Sequence, residues 1–324
     1  MTDSSPSEAS RELVRGAYDL HIHVAPDVMT RRISDIEVAR RFVDVGMAGF
    51  ALKSHYLPTS ERAQVVKAVV AGVDVLGSIT LNASVGGINP IAVELAARSG
   101  ARIVWMPTVD ARNERDCVAL APPGAKPPMW AQIQQELRDA GIDAAPVEVL
   151  DDEGEVREDV RRVLKLIASH NLVLATGHLS SLEIHAVVRC AVEVGVSSVI
   201  VTHPEFTSQR LSLEDQRILA DKGAFLERCF TTPHTGKTSW RQMFEAVRAT
   251  GPEHSFFSSD LGQPFNPPVE DGLALMADQF LNAGFTEAEV YQMAVTNSSR
   301  LANSDLFSGR PAPPVDTQHM TLER

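Results

Sequence analysis

Residues 17–56 read AYDLHIHVAPDVMTRRISDIEVARRFVDVGMAGFALKSHY, and this stretch contains one strand–helix–strand unit. Residues 17–24 form a mostly apolar run that suits a buried strand. Residues 33–45 repeat apolar side chains at spacings of three and four, as an amphipathic helix does. Gly46 follows, where a glycine can end the helix in the left-handed conformation, and a second apolar run at 49–55 completes the unit. Two strands joined by a helix predict parallel pairing.

The same alternation continues along the chain, and Gly72, Gly100, Gly195 and Gly223 follow further helical patterns. We expect strands at 17–24, 49–55, 73–82, 102–111, 172–179, 198–206, 224–230 and 255–261. Eight such units close naturally into a barrel. The predicted fold class is therefore α/β, a (β/α)8 TIM barrel.

One long interruption separates the fourth and fifth expected strands. Residues 112–157 include a proline-rich loop (APPGAKPPMW), one helical pattern and the hairpin-like stretch VEVLDDEGEV. We interpret this segment as an insertion in a barrel loop rather than a second domain. The predicted organisation is an N-terminal segment at 1–16, the barrel at 17–307, and a proline-rich polar tail at 308–324.

Composition restricts the classes of function. The 324 residues are 44% hydrophobic and 22% charged, which is typical of a globular protein with a sizeable core. With 42 acidic and 30 basic residues, the net charge of -12 argues against nucleic acid as a partner. The three cysteines show no CxxC spacing, no apolar run is long enough to span a membrane, and no signal-peptide pattern is present. We expect a cytoplasmic homo-oligomer that acts on a small molecule and does not bind membranes.

Histidines and one aspartate lie where the expected strands end. His21 and His23 are two residues apart on the first strand, so both side chains point to the same face. His178 and His203 end the fifth and sixth strands, and Asp260 ends the eighth. Barrel enzymes place catalytic groups at the carboxyl ends of their strands. Imidazoles and a carboxylate that converge there predict a site for a divalent first-row metal.

The order HxH, His, His, Asp along an eight-stranded barrel resembles the amidohydrolase superfamily. This resemblance implies a metal-dependent hydrolase in which one or two divalent ions activate water. It also implies that His21, His23 and Asp260 hold the more buried ion, and that His178 and His203 hold the more exposed one. The expected metal is Zn²⁺, with Mn²⁺ and Fe²⁺ as alternatives.

The chain departs from the family in its bridging ligand. Binuclear members use a carboxylated lysine or a glutamate from strand three or four, and neither strand offers one here. Strand two instead carries Lys53 and His55 on one face. A buried lysine is costly unless it is paired or neutralised, so Lys53 is either a carboxylated bridge between two ions or a cation for a substrate carboxylate. The role of His55, as a ligand or a substrate contact, stays open.

Two glutamates are further candidates for substrate binding. Glu227, on the seventh strand, can face the lumen and bind an amine or orient metal ligands, or it can pair with Arg228 or a helix. Glu205 follows His203 by two residues and is placed to reach the mouth.

The predicted reaction is hydrolysis of an amide, ester, lactone or related C–N bond, with Asp260 accepting and returning the proton. A decarboxylase or hydratase on the same barrel is the main alternative, because the fold does not determine the reaction. A histidinol-phosphatase-like phosphoesterase also begins with HxH, but its D-x-H ending is missing because Leu261 and Gly262 follow Asp260. A di-iron oxygenase is the most distant alternative.

Overall fold

The computed structural model describes residues 5–121, 128–209 and 211–303. In these residues, parallel strands follow one another in chain order around a single eight-stranded sheet. The strands are β1 Tyr18–Ile22, β2 Gly49–Leu52, β3 Asp74–Thr80, β4 Ala101–Trp105, β5 Val173–Ala175, β6 Ser198–Val201, β7 Phe225–Cys229 and β8 Ser255–Ser258.

Helices connect the strands and cover the outside of the sheet. They are α1 Glu8–Leu13, α2 Asp35–Val45, α3 Ser60–Val69, α4 Pro90–Arg98, α5 Arg112–Ala119, α6 Met129–Asp139, α7 Glu158–Ser169, α8 Ser181–Glu193, α9 Leu213–Asp221, α10 Thr231–His234, α11 Trp240–Thr250, α12 Gly272–Asn282, α13 Glu287–Tyr291 and α14 Asn297–Ala302. Short 3₁₀ turns and one π-helical turn, Gln292–Thr296, lie between them. The (β/α)8 barrel predicted from the strand–helix alternation is confirmed.

The barrel closes where β1 meets the end of β8. Ile22 and Leu261 form a parallel bridge, and the His23 amide donates to the Leu261 carbonyl over 2.8 Å. The Asp260 amide likewise donates to the His21 carbonyl over 2.8 Å. Gly262 has a φ of +131°, and a Cβ there would lie 1.5 Å from the His23 carbonyl oxygen, so only glycine fits this seam.

The strands are shorter than the apolar runs that predict them, most clearly at β5. The expected strand 172–179 contains a ladder of only three residues, because the last backbone bond to β6 is that of the Thr176 amide to the Ile200 carbonyl, and side-chain hydroxyls replace backbone partners beyond it. The Thr202 amide donates to the Thr176 hydroxyl and the Gly177 amide donates to the Thr202 hydroxyl, each over 3.0 Å. His178 therefore lies in a loop above β5 rather than in the strand.

A register shift in β1 changes the simple alternation of side chains. Asp19 pairs with Phe50, but Ile22 pairs with Leu52, so β1 contains one extra residue between these pairs. Leu20 packs in the cluster inside the barrel, whereas Ile22 packs in the cluster on the helix side. Such bulges re-aim side chains and are frequent beside active sites.

Apolar side chains fill both the inside of the barrel and the layer between sheet and helices. The inner cluster includes Leu20, Ala51, Trp105, Phe225 and Phe256. Two larger clusters lie between the sheet and the surrounding helices. The packed lumen closes the barrel below the polar groups, so a ligand can approach them only from the carboxyl ends of the strands.

The described residues between β4 and α7 form two helices where the sequence predicted one. The predicted helix corresponds to α6, while α5 was missed because its sequence, RNERDCVA, is mostly polar. Leu150 and Val156 form an antiparallel bridge in the hairpin-like stretch. The expected tail at 308–324 lies outside the described residues. Among the helices of the described part, none combines the length and apolar character needed to cross a bilayer.

Candidate metal centre

Three side chains converge where the barrel closes. Asp260 Oδ1 lies 3.2 Å from His21 Nε2 and 3.2 Å from His23 Nε2. Atoms of these residues that could each bind an ion all lie within 4.8 Å of one another. Both imidazoles are buried, while the Asp260 side chain is 19% exposed. Two nitrogens and one carboxylate oxygen are a donor set that suits Zn²⁺ and neighbouring divalent metals.

The second nitrogen of His21 is held by a carboxylate. His21 Nδ1 lies 3.1 Å from Glu227 Oε1, and Glu227 is fully buried on β7. A proton on Nδ1 that is donated to this carboxylate leaves Nε2 free to bind an ion. Cys229 Sγ lies 3.8 Å from the same Nδ1. Glu227 thus faces the lumen and contacts His21, not Arg228.

Asp260 has an unusual backbone conformation. Its φ is +53°, in the left-handed region that non-glycine residues seldom adopt, and His203 has a φ of +26°. Asp260 Oδ2 accepts a hydrogen bond of 2.9 Å from the Thr231 hydroxyl. Burial alone would raise the pKa of Asp260, but His21 and His23 hold it well below its ordinary value. The carboxylate is therefore ionised at neutral pH.

Lys53 lies inside the same cluster. Its Nζ is 2.9 Å from His21 Nε2 and 4.0 Å from the centroid of the Trp105 ring. The side chain is buried, and burial lowers the pKa of Lys53. The carboxylates of Asp260 and Glu227 act in the opposite direction but do not outweigh burial. A lowered pKa increases the fraction of neutral amine, which is the form that reacts with CO₂.

Five imidazoles surround the mouth. Ring centroids lie 4.9 Å apart for His23 and His55, 6.1 Å for His55 and His178, 5.1 Å for His178 and His203, and 6.1 Å for His203 and His21. Burial is the largest cause lowering the pKa of His23, His55, His178 and His203. These four rings are therefore neutral near pH 7 and offer lone pairs.

The pKa of His21 moves in the opposite direction. Burial and the charge of Lys53 lower it, but the carboxylates of Glu227 and Asp260 outweigh both and raise it above its ordinary value. The position beside His21 is thus an anionic environment that favours a cation. This electrostatic preference and the nitrogen and oxygen donors both fit a divalent metal.

Glu205 lies apart from the imidazoles. Its side chain pairs with Arg228, which points to the helix side of β7. Arg228 also donates to Gln216 of α9 over 2.7 Å and to Thr250 of α11 over 3.0 Å. Arg228 therefore ties β7 to α9 and α11, and its ion pair with Glu205 connects the loop after β6 to β7.

Other residues of the site were not identified from the sequence. The Thr108 hydroxyl is 2.9 Å from His55 Nδ1, and Gln209 Nε2 is 3.1 Å from His203 Nδ1. Glu114 Oε2 lies 3.5 Å from His178 Nδ1. Trp105 ends β4, but the expected strand 102–111 continued six residues beyond it, so the sequence did not place Trp105 at the mouth. Glu114 gave no signal either, because its helix was not predicted.

Solved structures with this fold include known enzymes. An amidohydrolase from Pseudomonas aeruginosa superposes with a TM-score of 0.60 at 12% identity, over 92% of this chain and 98% of that chain. An enamidase described as a member of the amidohydrolase superfamily gives 0.54 at 13%, over 89% and 67%. The phosphotriesterase homology protein from Escherichia coli also gives 0.54 at 13%, over 88% and 98%. The likeness confirms, at the level of the fold, the resemblance inferred from the histidine pattern.

No curated protein matches the sequence. The sequence profile of a family described as "Family of unknown function (DUF6282)" matches residues 16–227, from just before β1 into β7. Because this match extends over well more than half of the chain, the protein belongs to the DUF6282 family, and its barrel is of the kind found in the amidohydrolase superfamily.

Proposed function

We propose that this protein is a metal-dependent hydrolase that cleaves an amide, ester, lactone or related C–N bond of a small molecule. The observation that carries the proposal is the convergence of His21, His23 and Asp260 at the open end of the barrel. The fold shared with an amidohydrolase and an enamidase supports it. The neutral imidazole of His23 and the ionised carboxylate of Asp260 are in the protonation states that metal binding requires, and an ion at His21 would take the place of the proton that its raised pKa favours.

His21 Nε2, His23 Nε2 and Asp260 would hold the first ion, and His178 and His203 would contribute to a second. Zn²⁺ fits these donors best, with Mn²⁺ or Fe²⁺ as alternatives. A bound divalent ion lowers the pKa of water toward neutrality and polarises a substrate carbonyl.

Asp260 is the proposed catalytic acid–base. It is ionised, and its side chain is partly exposed, so it can reach a substrate at the mouth. The Thr231 hydroxyl bonds Oδ2 and holds the carboxylate plane in place. Asp260 accepts a proton as water attacks, and returns it to the leaving group.

For Lys53 we propose carboxylation and a bridge between two ions. The proposal is supported by its burial, by the 2.9 Å contact with His21 Nε2 and by its lowered pKa. His55 stacks on His23 among the five imidazoles at the mouth and is proposed as a substrate contact. We assign Glu227 to the orientation of His21, and Glu205 to the stability of the barrel wall rather than to substrate binding.

A metal-dependent decarboxylase or hydratase is the second candidate. It is favoured by Lys53 Nζ lying over the face of Trp105, a position that stabilises a cation. A cationic Lys53 would bind a substrate carboxylate and leave a single ion.

We also expect a homo-oligomer in the cytoplasm, where the three thiols, which are not in disulfides, stay reduced.

Metal analysis of the purified protein, combined with an anomalous diffraction map, tests the proposal. We expect one or two divalent ions per chain beside His21, His23 and Asp260. A panel of amides, esters and lactones should lose turnover after chelation and regain it when metal is added back. Release of CO₂ from carboxylic acid substrates would identify a decarboxylase, and addition of water to a substrate double bond would identify a hydratase. Full turnover by metal-free protein would contradict both.

A further inference from the structure

We propose that Glu114, at the start of α5, is a positioning residue that sets the tautomer of His178. The inference rests on the proposed metal-dependent function, because it concerns how His178 is presented to an ion. It also makes the start of α5 a part of the centre.

Glu114 and His178 lie side by side and are both buried. Glu114 Oε2 lies 3.5 Å from His178 Nδ1, and the two side chains are only 5% and 8% exposed. Within the described part of the chain neither atom has a hydrogen-bond partner, and their 3.5 Å separation is at the outer limit for a hydrogen bond between them. A buried carboxylate oxygen and a buried ring nitrogen that are left without hydrogen bonds each cost free energy of folding. A proton on Nδ1, donated to Glu114, satisfies both.

The chemical consequence follows from the two nitrogens of an imidazole. If Nδ1 carries the proton, Nε2 keeps its lone pair, and only that nitrogen can then bind an ion. Histidine ligands are commonly held this way by a carboxylate, which also raises their basicity. His21 and Glu227 show the same arrangement on the other side of the mouth.

Asn113, the residue before Glu114, also connects α5 to the site. Asn113 Nδ2 donates to the His178 carbonyl over 3.0 Å and to the Ser208 carbonyl over 2.9 Å. It therefore connects the loop after β5 to the loop that follows His203. Asn113 and Glu114 fix the position and the tautomer of His178 together.

The test compares Glu114→Gln and Glu114→Leu with the matched control Glu148→Gln. Glu148 lies in the same segment, but its side chain is 43% exposed and pairs with Arg112. The affinity for Zn²⁺ is measured by competition with a chromophoric chelator. The tautomer of His178 is read from ¹⁵N shifts of the imidazole nitrogens in the metal-free protein, and far-UV circular dichroism checks folding.

We expect Glu114→Leu to bind Zn²⁺ about 10- to 100-fold more weakly than wild type. Glu114→Gln should show a smaller loss, because its amide oxygen can still accept the hydrogen bond from His178 Nδ1–H, and Glu148→Gln should match wild type. The His178 Nδ1–H signal should weaken in both Glu114 variants. If Glu114→Leu does not fold, Glu114→Gln carries the test. Unchanged affinity and an unchanged His178 tautomer would overturn the inference. Wild-type protein that binds no metal would instead overturn the proposed function, while the ¹⁵N shifts would still report on Glu114.

Discussion

Replacing Glu205 by glutamine should destabilise the barrel strongly without altering the metal centre. The Arg228 side chain has no exposed surface and that of Glu205 is 4% exposed, so the substitution leaves a buried guanidinium without its counter-charge. Breaking a buried ion pair in this way costs about 3 to 5 kcal/mol. At about 2.1 cal/mol/K of unfolding entropy per residue, roughly 0.7 kcal/mol/K for this chain, Tm should fall by about 4 to 7 °C.

Burial also determines what happens when both partners are replaced. It raises the pKa of Glu205 and lowers that of Arg228, although each charge opposes the shift of the other. Desolvation is therefore a large fraction of the cost of the pair, and Glu205→Leu with Arg228→Met should lose less stability than Glu205→Gln alone.

Differential scanning calorimetry at a fixed scan rate, with metal content measured in parallel, checks this prediction. Glu214→Gln is the control, since Glu214 is 68% exposed in its pair with Arg217 and should change the free energy of unfolding by less than about 0.5 kcal/mol. Glu205→Gln with wild-type Tm but reduced turnover would refute the reasoning, and would return Glu205 to the substrate-binding role expected from the sequence.

The remaining predictions concern the centre itself. His21→Ala combined with His23→Ala should abolish metal binding, because two of three converging donors are lost, and full occupancy by elemental analysis would exclude the assignment. Asp260→Asn should lower kcat by about 10²-fold or more while retaining some metal, since an amide oxygen still binds an ion but accepts no proton; near-normal turnover would make Asp260 structural. Lys53→Ala should lose at least one ion, partly restored by bicarbonate with acetate, if Lys53 is a carboxylated bridge. Unchanged metal stoichiometry with a raised KM would instead identify a cation for a substrate carboxylate.

The barrel could be predicted because its signals are local. Each strand is an apolar run, and most of the connecting helices repeat their apolar residues at spacings of three and four, several of them before a glycine, so these units can be identified without knowing their neighbours. The placement of His21, His23, His178, His203 and Asp260 at strand ends follows from this alternation. The parallel strands bring their carboxyl ends to one edge, whatever the intervening loops are.

Other features depend on contacts between distant parts of the chain, which local patterns do not encode. The register shift in β1 is determined by pairing with β2, and Gly262 is required because the His23 carbonyl lies against it. Glu205 precedes Arg228 by 23 residues. The two side chains pair only because Arg228 points to the helix side of β7.

The sequence by itself thus determined the strand–helix order and which residue types reach the mouth, because periodicity and strand polarity are properties of single units. Only the tertiary structure decided which atoms meet there. Glu114 reaches His178 from a helix 64 residues earlier, since the packing of α5 against two loops brings the buried carboxylate and the buried ring nitrogen together.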